Sequence, residues 1–216
     1  MPHDGHDHDH ATTFQSDIKE PSEEWEFLEI ALRELLIDKG IVSAREIADT
    51  VEAWENKTPE AGAQIIAKAW TDVDFKSRLL ADGNSTVAEL GIVFEGTQLV
   101  VVENTTDLHH MVVCTLCSCY PRPILGMPPL WYKSKSYRAR TVREPRAVLA
   151  EFGTDIPTAT EVRVLDSTAD IRYLVIPRRP DGTDGMSVEA LAALVTRDSM
   201  IGTATALQPD GGRAAA

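Results

Sequence analysis

Cys114, Cys117 and Cys119 are the only thiols in 216 residues, and they fall within six positions of the stretch VVCTLCSCYPRP (112–123). That clustering narrows their chemistry. An odd number does not make a paired disulfide framework, and a bridge between near neighbours such as Cys117 and Cys119 would be strained. Structural zinc wants four ligands, usually as two separated pairs. No second pair exists, and His109 and His110, on the approach to the cysteines, read as half-buried strand positions. A redox dithiol needs only Cys-x-x-Cys and leaves Cys119 without a purpose. The option that uses every sulfur is one soft, thiolate-rich site in which a single loop aims all three at one ion. Because Cys117 and Cys119 flank Ser118, the chain passes beneath that ion. The amide nitrogens of Ser118 and Cys119 then come within reach as further ligands once deprotonated. Thiolate and amidate donors suit a trivalent ion, Co(III) or Fe(III), better than zinc. Those residues leave two uses open, catalysis by the ion or simple metal holding and delivery.

The elements that must position this loop follow from the apolar pattern. LVVVEN (99–104) and HHMVVC (109–114) are β-branched runs separated by the turn-prone Asn104–Asp107, and the second feeds straight into the cysteines. A loop rich in proline (Pro121, Pro123, Pro128, Pro129) follows, then a helix over 143–153, strands over 161–166 and 171–177, and a helix over 187–195. Upstream the period is helical. Trp25, Leu28, Leu32 and Leu35 recur every three or four residues up to Gly40. Ser43 with Glu46 makes a capping box for a helix carrying Ile47, Val51 and Trp54. A third helix starts at Thr58-Pro59 and runs through Ile66 and Trp70. Helices first and strands later predict an α+β fold, a helical N-terminal arm followed by a layered α/β/β/α domain carrying the metal loop. The expected division is a His/Asp-rich tail over 1–17, the arm over 18–90, a metal-binding catalytic domain over 91–208 and a flexible tail over 209–216.

Composition sets the outer limits. The net charge of -13 argues against a nucleic-acid partner, because such binding neutralises phosphates with Lys and Arg. No apolar run approaches the ~18 residues of a membrane span. The acidic, polar N-terminus is unlike a secretory signal, and the expectation is a cytoplasmic protein. Charge is unevenly spread: residues 1–60 hold 16 acidic against 5 basic side chains, whereas 121–150 hold 7 basic residues and only Glu144. The acidic arm with its apolar stripes, and the basic stretch after the cysteines, are candidate seats for a partner chain or an anionic group. HDGHDHDH (3–10) has the donors to chelate a divalent metal, its plainer reading being a solvated tail.

VCTLCSCY, together with LVVVENT, WYKS, YRAR, VREPRAVLAEFG, EVRVLDS, IRYLVIP and LVTRDSMIG, resembles the α subunit of nitrile hydratase over most of the chain from Trp25 to Gly202. The resemblance implies that Cys114, Cys117 and Cys119 supply three sulfurs and the amides of Ser118 and Cys119 two nitrogens. It further implies Cys117 oxidised to sulfinate, Cys119 to sulfenate, and a sixth metal position open to water or substrate. Thr115 and Tyr120 are similar to the cobalt branch, so non-corrin Co(III) is expected ahead of Fe(III). The implied catalytic positions are Cys119, Ser118 and Thr115, with Arg122 and Tyr120 facing the substrate. The family also implies a β-type partner chain in a heteromer, supplying the main arginines that neutralise the sulfur oxygens. Within this chain Arg163 and Arg172 are candidates for the same task. The implied activity is hydration of a nitrile to its amide. CYPRP departs from the commonest pattern, which has Trp after CYP, and is similar instead to the γ subunit of thiocyanate hydrolase, a cobalt relative that releases carbonyl sulfide and ammonia. A guanidinium at 122 suits an anion or a bulky polar nitrile such as toyocamycin, where Trp would suit a plain nitrile. Nitrile hydration is the first expectation and thiocyanate hydrolysis the second.

Overall fold

The structure, a computed structural model, describes residues 23–209. The His/Asp-rich run with its chelating potential lies outside the described residues, as does all but the first residue of the 209–216 tail. Helices α1 (Glu23–Asp38) and α2 (Ala44–Glu55) stand where the apolar spacing placed them. The capping box of α2 is formed: Ser43 Oγ accepts from the Glu46 amide at 3.1 Å, and the Glu46 carboxylate accepts from the Ser43 amide at 2.8 Å. Neither helix hides its stripe. Trp25 and Leu32 are 69% and 57% exposed, and no residue of α2 is buried.

Helix α3 (Glu60–Thr71) begins after Pro59 and buries Ile65, Ile66 and three alanines, so the packed body of the molecule takes in the chain from about Glu60 onward. Helices α4 (Val73–Ala81) and α5 (Gly83–Ala88) follow, each started by an aspartate side chain, Asp72 or Asp82, accepting a backbone N–H three residues on. Their short, polar sequences hid both from periodicity. Next come β1 (Gln98–Glu103) and β2 (Leu108–Val113), then the metal loop. The proline-rich stretch expected as loop contains short helices α6 (Arg122–Leu125) and α7 (Leu130–Lys133), followed by α8 (Lys135–Thr141) and α9 (Pro145–Glu151). Strands β3 (Glu161–Asp166) and β4 (Ile171–Ile176) and helices α10 (Val188–Ala192) and α11 (Arg197–Ile201) complete the α+β fold.

The turn between β1 and β2 joins two sheets, not two strands of a hairpin. Among the described residues β1 pairs with β4 and β2 with β3, both in parallel. Parallel pairing requires a long crossover. Between β2 and β3 that crossover is the metal loop followed by α6 to α9, so the cysteines sit at the carboxyl ends of a parallel pair, where ligand sites of such sheets gather. Burial explains why β2 reads as a continuous apolar run: every residue from His109 to Val113 is buried, as expected for a strand covered on both faces. Gly202, with φ of +83°, lets the end of α11 press on β2. A Cβ there would stand 1.9 Å from the His110 carbonyl oxygen.

Candidate metal centre

β2 delivers Cys114 directly, since Val113 is its last residue and pairs with Asp166 at the end of β3. Cys114 is fully buried, Cys119 partly exposed and Cys117 exposed. Their sulfurs converge. Cys114 Sγ lies 3.2 Å from Cys117 Sγ, Cys117 Sγ lies 3.2 Å from Cys119 Sγ, and all three fall within 4.8 Å of one another. No disulfide bridges them, since that bond is about 2.05 Å. Two thiolates about 2.3 Å from a shared ion are about 3.3 Å apart at right angles and about 3.8 Å apart at a tetrahedral angle. The two separations lie closer to adjacent corners of an octahedron than to those of a tetrahedron. The Cys117 amide donates to the Cys114 sulfur at 3.2 Å, and the neighbouring amides of Ser118 and Cys119 help hold the Cys117 thiol below its usual range.

The electrostatics of the bare loop call for a cation. Cys117 is held below the usual thiol range, chiefly by the hydrogen bond from the Cys119 thiol. Cys119 is pushed up to about 12, first by burial and then by its Cys117 neighbour, with Arg172 pulling the other way. Sulfurs as crowded as those of Cys117 and Cys119 oppose one another's ionisation. A bound cation would supply the missing positive charge, and thiolate with amidate donors would suit a trivalent one, so the donor set is compatible with the group the spacing pointed to.

The loop is clamped from outside. The Thr115 amide and hydroxyl donate to the two carboxylate oxygens of Asp166 at 2.9 and 2.6 Å. The Tyr132 hydroxyl donates to the Cys119 carbonyl at 2.8 Å, the Tyr137 hydroxyl to the Val112 carbonyl at 2.7 Å, and Arg138 reaches the Thr115 carbonyl at 3.5 Å. Burial raises the phenols of Tyr120, Tyr132 and Tyr137, which keeps them protonated. Behind the loop, Asn104 ties the two histidines together. Its oxygen accepts from the His110 amide at 2.8 Å and lies 3.0 Å from His110 Nδ1, and its nitrogen lies 3.1 Å from His109 Nδ1. His109 Nε2 lies 2.8 Å from the Gly202 carbonyl oxygen, which makes it the protonated nitrogen.

A cavity of about 890 Å3 opens over the loop. Cys117, Ser118, Cys119 and Tyr120 line it with Arg122 and Pro123, Arg172 from β4, Trp54 and Lys57 from the end of α2, and Ile92 to Glu95. The Lys57 ammonium sits 3.8 Å over the Trp54 ring, and Gly126, with φ of +71°, packs against the Lys57 carbonyl. Most residues singled out in the sequence therefore meet in one place. Thr115 does not face the cavity, its side chain being held by Asp166. Arg163 is also outside the lining, paired with Glu161 at 2.9 Å. Sequence reasoning missed Asp166, Tyr132, Trp54 and Lys57 as parts of the site. Asp166 ends a predicted strand and Tyr132 lies in the quoted WYKS, but nothing local ties either to a loop that meets them only in the folded chain.

The family described as nitrile hydratase, alpha chain, matches residues 23–204. The chain is 53% identical over 175 residues to the cobalt-containing nitrile hydratase subunit alpha of Pseudonocardia thermophila, covering 80% of this chain and 86% of that one. It is 44% identical over 193 residues to the thiocyanate hydrolase subunit gamma of Thiobacillus thioparus, covering 84% and 79%. A double mutant of the iron-type nitrile hydratase from Comamonas testosteroni Ni1 superposes with a TM-score of 0.83 at 40% identity, over 91% of this chain and 97% of that one.

Proposed function

This chain belongs to the nitrile hydratase α-chain family, and from that premise we propose that it is the metal-bearing subunit of a cobalt enzyme that hydrates a nitrile to the corresponding amide. The observation that carries the reading is the convergence of three sulfurs within 4.8 Å of one another, with Cys117 and Cys119 lining a large cavity and Cys114 buried beneath them. Cys114, Cys117 and Cys119, with the amide nitrogens of Ser118 and Cys119, would hold non-corrin Co(III). When bound, the ion acts as a Lewis acid that makes the nitrile carbon electrophilic.

The rest falls to the chain itself. Cys117 and Cys119 are open to an oxidant and Cys114 is sealed, which suits conversion of Cys117 to sulfinate and Cys119 to sulfenate with Cys114 spared. An oxygen on Cys119 Sγ is this chain's candidate to attack the nitrile carbon or to take the proton from a water that does. Arg172 and Arg122 line the same cavity and supply guanidinium donors for sulfur oxygens or a polar substrate. Trp54, Ile92, Val93 and Phe94 would form a wall for the organic part of a substrate, and a cavity of this size suits the reading of a bulky polar nitrile such as toyocamycin. A β-type chain supplying further arginines completes the proposed heteromer, and a reducing cytoplasm is the setting that metal-bound thiols suit. No described helix is long and apolar enough to cross a membrane.

Arg122 favours a second reading, thiocyanate hydrolysis, because with Lys57 and Arg172 it places three cations against the single Glu95 along the cavity. One assay separates the two. The purified complex is given a nitrile and, separately, thiocyanate. Amide formation alone supports the hydratase, and carbonyl sulfide release alone overturns it. Labile divalent metal over unoxidised thiols, read by intact mass and chelation, would instead indicate a metal-holding module.

A further inference from the structure

The last sulfur ligand has no secondary structure to hold it. Cys114 is fixed by β2, which ends one residue before it, whereas Cys119 lies five residues further on in irregular chain. Among the described residues no backbone N–H reaches the Cys119 carbonyl. Its hydrogen-bond partner is the hydroxyl of Tyr132, at 2.8 Å. Tyr132 is itself enclosed: it is fully buried, and its ring makes an edge-to-face contact with the Tyr120 ring at 5.2 Å and packs beside Trp131 and Tyr137. One side chain thus grips the loop's exit twice, by hydroxyl at Cys119 and by ring at Tyr120. From there the chain runs directly into Arg122, whose amide donates to the Tyr120 carbonyl at 2.8 Å.

We propose that Tyr132 is a positioning residue for the metal centre, its hydroxyl pinning the exit of the loop so that the Cys119 sulfur stays directed at the other two. The proposal rests on the metal-site reading above. Tyr137 is the internal contrast. It donates to Val112, which lies inside β2 with its backbone already set by pairing with Leu165. Losing that hydroxyl loosens the strand's packing and leaves the sulfur set in place.

The test uses the full-length chain, reduced and metal-free, titrated with Co(II) while the thiolate-to-cobalt absorption is followed. Thermal midpoints are recorded alongside. Tyr132→Phe keeps the ring and removes only the hydroxyl, and is expected to weaken cobalt affinity about five-fold, the factor that one net hydrogen bond of about 1 kcal/mol represents. Tyr137→Phe is expected to lower the thermal midpoint with affinity within about two-fold of the parent, well below that factor. If Tyr132→Phe and Tyr137→Phe lower the midpoint alike and bind cobalt as the parent does, Tyr132 is merely structural and the proposal is overturned. If the parent itself shows no cobalt-thiolate absorption, the metal-site reading is what has failed, and the proposal goes with it.

Discussion

Replacing Asp166 by alanine removes both hydrogen bonds that hold Thr115, at 2.9 Å to its amide and 2.6 Å to its hydroxyl, from a loop whose next residues carry two sulfurs. Hydrogen bonds to a charged acceptor contribute about 1.5–3 kcal/mol each. Asp166 is exposed, so water replaces part of what is lost and only about 1 kcal/mol is left for each bond. A net of about 2 kcal/mol remains, roughly 30-fold in the equilibrium between the closed loop and an open one. The expected result is cobalt affinity about 30-fold weaker, with a thermal midpoint lower by no more than about 8 °C, since the loss is local to one loop. Thr115→Val removes one of the two bonds and should cost about five-fold. In the double variant the valine should add almost nothing to Asp166→Ala, because its partner has already gone. The measurement is Co(II) titration of the reduced chain, followed by absorption, with the midpoint read by circular dichroism. Parent-like affinity in Asp166→Ala, or costs that add fully in the double variant, would refute the clamp.

Arg122→Trp should lower turnover of thiocyanate relative to a neutral aromatic nitrile by about ten-fold or more, the scale of one lost ionic contact in a pocket; steady-state kinetics on both substrates decide it. Arg163→Ala, outside the cavity, should leave cobalt content and kcat within about two-fold, because an exposed ion pair is worth well under 1 kcal/mol. Gly126→Ala sets a Cβ 2.1 Å from the Lys57 carbonyl oxygen at a φ of +71°, and should cost at least about 3 kcal/mol, visible as a midpoint lower by about 6 °C or more. His109 is buried, and that burial holds its pKa below the ordinary 6.5. The neutral imidazole is then the form the fold prefers, so its contribution is complete above pH 6.5 and is lost as pH falls toward the depressed value. Midpoints across pH 7.5 to 5 should fall on the acid side in the parent and fall less in His109→Gln, a comparison that scanning calorimetry makes directly.

The chemistry of the loop was legible in the sequence because it is local. Cys114, Cys117, Ser118 and Cys119 sit on one short turn, so their spacing alone puts the donors within reach of one another, while Asp166 and Tyr132 from elsewhere in the fold hold that turn in place. The box formed by Ser43 and Glu46, and the strand periods of 99–104 and 161–166, are local in the same sense: neighbouring residues satisfy their own backbone groups or alternate across one face. Tertiary structure alone decided that β1 and β2 enter different sheets, that β2 lies parallel to β3, and that Asp166 consequently meets Thr115 across 51 residues. It also chose between two arginines that read alike in sequence, turning Arg172 into the cavity and Arg163 onto Glu161. Strand partners and cavity walls depend on which buried faces fit together over the whole chain. That free energy is shared among segments far apart in sequence, so no one of them displays it.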